Sequence, residues 1–282
     1  MFRCLSPGAV GIKGLSLEEQ LILARDSGFE GMDVPTEETV EAIQAASAGA
    51  VKERFDGAGL LPGSWSLGNW RTDDGYRALL EALPDVAGSL SSIGATRCTT
   101  FILSSSELPY EEAWRWHVDR FQPLCRILTD SGCRLGLEYV GPHHLRTLHP
   151  HKFIYTAEEA LGMAADIGTG NVGLLFDAYH WFTAGESVSV INGFKAADVV
   201  SVHVNDAPAG VSVGDQQDGI RCMPGATGVI DIAAFLNGLT NIGYDGPVTP
   251  EPFTGAPKVA GAIDIAKATN QSLLDIWKKA GI

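Results

Sequence analysis

Hydrophobic positions along the chain fall into two alternating patterns: short unbroken apolar runs, and longer stretches where apolar residues return every three or four positions. The first marks a strand buried on both faces, the second an amphipathic helix. Runs at 1–6, 29–34, 60–65, 97–103, 134–138, 172–177, 199–203 and 247–251 read as strands, the third weakened by Pro62 and Gly63. Helical spacing predicts helices over 16–28, 36–55, 74–93, 111–131, 157–167, 187–196, 231–239 and 262–280. Ser16 with Glu19 three residues on has the form of a capping box, Asp231 is placed to cap its helix, and Pro84 is expected to break or kink the helix that holds it. Gly28, Gly94, Gly132, Gly168 and Gly243 each stand between a helix and the next strand, where a left-handed cap is wanted. An open doubly wound sheet shows the same alternation. Eight units in 282 residues with no Pro-, Ser- or Gly-rich linker favour a closed (β/α)8 TIM barrel of the α/β class, one domain over 1–282.

In such a barrel the site is built at the C-terminal ends of the strands. The run from Val172 to Phe176 leaves the core at Asp177, and three further runs end at Glu138, His203 and Glu251. Taken singly, a strand-end acid caps the next helix or pairs with an arginine. Four such residues on successive units, three carboxylates and one imidazole, describe a divalent-metal site, with Mn²⁺, Mg²⁺ or Co²⁺ expected and Zn²⁺ possible. A metal chelating a carbonyl and its neighbouring hydroxyl acidifies the proton between them, so Glu138 and Glu251 are also the candidate base and acid. Trp65, Trp70, Phe101 and Trp181 lie near predicted strand ends and are candidates to floor a substrate pocket, Trp65 foremost.

Composition narrows the partners. The formal charge of −14 argues against nucleic acid, and no apolar run is long enough to cross a bilayer. Five cysteines without C-x-x-C spacing, and an N-terminus without a charged region followed by an apolar one, lead us to expect reduced, mostly buried thiols in a cytoplasmic protein. Two long connections, 139–156 and 205–230, interrupt the units, and connections of that length often serve as lids. The first holds His143, His144, His149 and His151, whose bland reading is solvated loop histidines and whose sharper one is a second metal centre. Gly168, Gly170 and Gly173 match a dinucleotide fingerprint but precede a strand instead of following one. Asn270 begins a glycosylation triplet with no secretory context.

The segments GLEYVG, LLFDAYHW, SVHVND and VTPEPF resemble those of the xylose isomerase-like TIM barrel superfamily of sugar isomerases and epimerases. The resemblance covers the whole chain and is specific from Glu138 onward. It implies that Glu138, Asp177, His203 and Glu251 are metal ligands, that His180 contacts substrate, and that Arg221 binds substrate ahead of a Pro-Gly turn. Here the turn departs from the family pattern, because no acidic residue follows Pro224-Gly225. The expected activity is a metal-dependent sugar or keto-sugar isomerase or epimerase, with a small-molecule partner and a possible homo-oligomer. Alternatives are a lyase acting on a cyclitol or 3-keto-sugar, an abasic-site endonuclease, and a sugar-binding protein without turnover.

Overall fold

A computed structural model describes residues 1–259 and 261–282. Its strands are β1 (Phe2–Leu5), β2 (Gly31–Met32), β3 (Leu61–Pro62), β4 (Ser64–Ser66), β5 (Arg97–Ile102), β6 (Ser105–Ser106), β7 (Arg134–Tyr139), β8 (His151–Lys152), β9 (Val172–Asp177), β10 (Val199–Val204) and β11 (Pro247–Pro250). Nine of them form one parallel sheet in the order β3-β2-β1-β11-β10-β9-β7-β5-β4. The two ends of that order, β3 and β4, are separated in the chain by Gly63 alone. Together they are the third barrel strand, whose first half pairs with β2 and second half with β5, so the ring closes through Gly63. A side chain there would strike Cys4 Sγ and Asp33 Oδ1, so the strand changes partners where it has no Cβ.

The helices are α1 (Leu17–Asp26), α2 (Thr36–Ala45), α3 (Ala48–Ala58), α4 (Asp73–Ser92), α5 (Tyr110–Asp130), α6 (Ala157–Ile167), α7 (Ala178–Ala184), α8 (Val188–Ile191), α9 (Ile232–Asn241) and α10 (Ala262–Ala280). The capping box at Ser16 and Glu19 forms, Asp231 caps α9 by accepting from the Ala234 amide, and all five interstrand glycines have positive φ. The helix expected over 36–55 is two helices, because the chain breaks at Ala46 and Ser47 caps the second by accepting from the Ala50 amide. The helix expected over 187–196 is only α8, followed by a 3-10 turn at Ala196–Asp198, while α7 forms directly after β9. Pro84 does not end α4. It lies on the exposed face, where water can take the carbonyl that its missing N–H leaves open.

Alternation along β9 explains the division of labour. Leu174 and Phe176 turn to the helical layer, where Phe176 stacks on Phe235 of α9 with centroids 4.8 Å apart. Leu175 and Asp177 share the opposite face, towards the lumen. The lumen is narrow: Ser64 and Ser201 hydrogen-bond across it at 2.7 Å. His143–Thr147 is a 3-10 helix, and β8 pairs with β6 antiparallel, so the first long connection is a folded flap on the C-terminal rim.

Candidate active site

Register brings the four strand-end residues together. Asp177 and His203 are direct neighbours across β9 and β10, His203 is level with Thr249 of β11, and the Glu251 amide donates to Val204 O just past that strand. One potential ligand atom from each of Glu138, Asp177, His203 and Glu251 lies within 4.8 Å of the others. Asp177 has two duties. Its Oδ1 accepts from the Tyr179 amide at 2.6 Å and caps α7, while Oδ2 faces the cluster.

The charges there are unbalanced. Glu138 Oε1 and His203 Nδ1 are buried with no hydrogen-bond partner, and burial followed by the Glu251 carboxylate pushes Glu138 well above the usual carboxylate range. Burial pulls the His203 imidazole down, but Glu251, Glu138 and Asp177 outweigh it and push it up to about 10. His203 Nδ1 lies 3.4 Å from Glu251 Oε2 and 3.8 Å from Glu138 Oε1, and buried polar atoms left outside any hydrogen bond are costly unless a cation joins them. Three carboxylates and an imidazole converging in this way fit a hard or borderline divalent ion.

Arg221 is not a solvated loop residue. It is 2% exposed, Nη1 donates to Asp177 Oδ2 at 2.7 Å and to Glu251 Oε2 at 2.8 Å, and Nη2 donates to Asp218 Oδ1 at 2.8 Å. The guanidinium lies between Tyr179 and Phe253, 4.9 and 4.5 Å from the ring centroids. Phe253 has φ 47, a conformation disfavoured for a bulky residue and found where surrounding contacts impose it. Against burial, Arg221 followed by His180 and His203 holds Asp177 well below the usual carboxylate range.

His180 stands on α7, buried, in a helix that the sequence spacing does not predict. The Gly141 amide donates to its Nδ1 at 3.2 Å, and Arg221 Nη2 lies 3.3 Å from its Nε2. That nitrogen is 3.7 Å from Glu138 Oε1 and 3.8 Å from Asp218 Oδ1, aimed into the cluster. Gly141 is required there, because a Cβ would strike His180 O and Thr183 Oγ1.

Two cavities border the cluster. One of about 230 Å³ is lined by Phe101, Glu138, His180, Asp218, Arg221 and Glu251 among others; one of about 280 Å³ is lined by Asp33, Trp65, Thr99, His203 and Glu251 among others. Trp65 offers only its ring face, since its indole N–H donates to Ala95 O. Trp181 packs on Phe235 in the core, away from both cavities. His149 pairs with Glu107, and among the described residues the strand-end cluster is the one group arranged to hold a metal. Sequence reasoning missed Asn205, which is fully buried and donates to Asp177, and Asp218; both lie in or beside the second long connection, where periodicity gives no signal.

A family model described as xylose isomerase-like TIM barrel matches residues 21–273. Inosose isomerase of Bacillus velezensis is 23% identical over 250 residues, 87% of this chain and 86% of the relative. A ketose 3-epimerase of Arthrobacter globiformis is 26% identical over 152 residues, 53% of this chain and 43% of the relative. A xylose isomerase domain protein from Alicyclobacillus acidocaldarius superposes with a TM-score of 0.88 at 31% identity, covering 100% of both chains. The IOLI protein, solved with a zinc atom, superposes with a TM-score of 0.80 at 21% identity over 99% of each chain. With the family model matched over all but the two ends of the chain, the protein belongs to the xylose isomerase-like TIM barrel family.

Proposed function

We propose that the protein is a divalent-metal-dependent isomerase or epimerase of sugars or keto-sugars, with Glu138, Asp177, His203 and Glu251 as ligands. The observation that carries the reading is the convergence of those four residues, two of them unpartnered at a buried atom, on a space bordered by two cavities. Manganese, magnesium, cobalt or zinc bound there would polarise a carbonyl and the hydroxyl beside it. Two relatives are an inosose isomerase and a ketose 3-epimerase.

The chain's own groups supply the rest. Glu138 and Glu251 reach the cluster from β7 and from the end of β11, so they approach a substrate from different sides. A proton removed by one and returned by the other inverts the carbon between them; return to the neighbouring carbon exchanges carbonyl and hydroxyl. His180 presents Nε2 to a substrate oxygen, and Arg221, which bridges Asp177 and Glu251, binds a second oxygen. Trp65 and Phe101 provide apolar walls.

Incubation of metal-loaded protein in D₂O with ketoses, inososes and keto-glycosides, followed by NMR, tests the reading. Deuterium beside the carbonyl with an isomeric product supports it. Exchange with loss of a hydroxyl and a new unsaturation would replace it with a lyase acting on a cyclitol or 3-keto-sugar. Binding without exchange at any carbon rejects catalysis.

A further inference from the structure

A third cavity, of about 360 Å³, opens beside this site, between Trp70 and Arg71 on one side and the segment from Leu103 to α5 on the other. Trp70, Trp116, His117, Leu103 and Leu108 make its walls mostly apolar, and Leu103 also lines the cavity that holds Glu138 and Arg221. Arg71 contributes to it a half-buried cation. Its guanidinium lies 3.9 Å from the Phe101 ring centroid and 4.6 Å from that of Trp70, and Nη2 donates to Phe101 O at 2.6 Å. Its side chain has no other acceptor among the described residues, and no carboxylate lies within 4.0 Å. Arg120 nearby shows the contrast: it too lies over an aromatic ring, that of Trp116, but is paired with Asp73. The one acid lining the cavity, Glu107, is paired with His149 at 2.8 Å.

A guanidinium with open donors, partly desolvated between two rings, is compensated best by an anion, and its planar fork suits two oxygens at once. Its position relates it to the chemistry. Phe101 and Glu138 are paired in register across β5 and β7, so one strand spacing, about 4.8 Å, and the Phe101 ring separate Arg71 from the carboxylate. A chain of sugar length spans that reach.

We propose that this third cavity is a subsite for an oxyanion at the far end of the substrate, a terminal carboxylate or phosphate monoester bound by Arg71 while Trp70, Trp116 and Leu103 cover the carbons leading to it. The inference rests on the isomerase or epimerase reading above and narrows its substrate class to sugar acids or sugar phosphates over neutral sugars.

Calorimetry on metal-loaded protein with D-fructose, D-fructuronate and D-fructose 6-phosphate tests it. At least one anionic probe should bind about tenfold or more tightly than D-fructose, the scale of one charge-assisted hydrogen bond. Which of the two does so identifies the group. The preference should fall to about unity in Arg71→Met and be partly kept in Arg71→Lys, which retains charge without the fork. Equal binding of the three probes, no binding of any, or a preference that survives Arg71→Met overturns the subsite. Deuterium exchange on the same samples separates the two claims: exchange without anion preference rejects only the subsite, and preference without exchange rejects only the isomerase reading.

Discussion

Asp177 shows how one side chain serves structure and chemistry together, capping α7 through Oδ1 and facing the cluster through Oδ2. Asp177→Ala and His203→Ala should therefore lose the bound ion after dialysis and reloading with Mn²⁺, while His180→Ala and Arg221→Ala keep it; unchanged metal content in the first pair places the site elsewhere. Glu138 and Glu251 are asked to move a proton as well as to ligate. Glu138→Gln and Glu251→Gln keep size and an oxygen but lose the base, so deuterium exchange should slow by at least ~10²-fold, and full rates in both would leave them as ligands only. His117 gives a separate test, away from the carboxylates. Buried against Phe153 and donating from Nδ1 to Ala113 O, it is held neutral, burial lowering its pKa to about 4. The unfolded chain takes up a proton near the ordinary value of about 6.5 and the folded chain does not, so stability present above that pH is lost as pH falls towards 4. The loss is about 3 kcal/mol. Stability measured against pH should fall more steeply for the parent than for His117→Phe; parallel curves would show that His117 does not carry the effect.

Among the elements, the connection from Asn205 to Ile230 carries Arg221 and Asp218, and Asp206 pins it. Asp206 accepts from the amides of Ala207, Thr227, Gly228 and Ile230 at 2.7 to 3.0 Å. Asp206→Ala orphans these donors and should cost at least about 2 kcal/mol, seen as a lower urea midpoint, with weaker substrate binding because Arg221 loses its seat. A parental midpoint would mean that water takes all four amides. Elements with a period of their own were legible in the sequence: α6 and α10 lie where helical spacing put them, and β5, β7, β9 and β10 nearly so. The strand-end residues were legible because a strand's length fixes where its side chains leave the core. The loop residues Asn205 and Asp218 were not, since their positions come from tertiary hydrogen bonds. α7 was missed because its signal is a single cap on a strand's last residue, and β2 is short because it pairs only where β1 and β3 flank it together.

At the scale of the whole molecule, the barrel is uneven. Glu138, Asp177, His203 and Glu251 come from the arc β7, β9, β10 and β11, whose strands run four to six residues, whereas β2, β3 and β4 run two or three and the ring closes at a glycine. Few backbone hydrogen bonds tie that seam, so native-state amide exchange should not be uniform around the ring. Amides of Met32 and Leu61 should exchange through openings that leave Leu174, Phe176 and Val202 protected, and Gly63→Ala, which forces a Cβ against Cys4 and Asp33, should speed the first group alone. Equal protection all round would show that the closure is as firm as the rest. An opening confined to the seam would loosen the wall that Asp33 and Trp65 give to one cavity, while the four converging residues keep to their own arc of the ring.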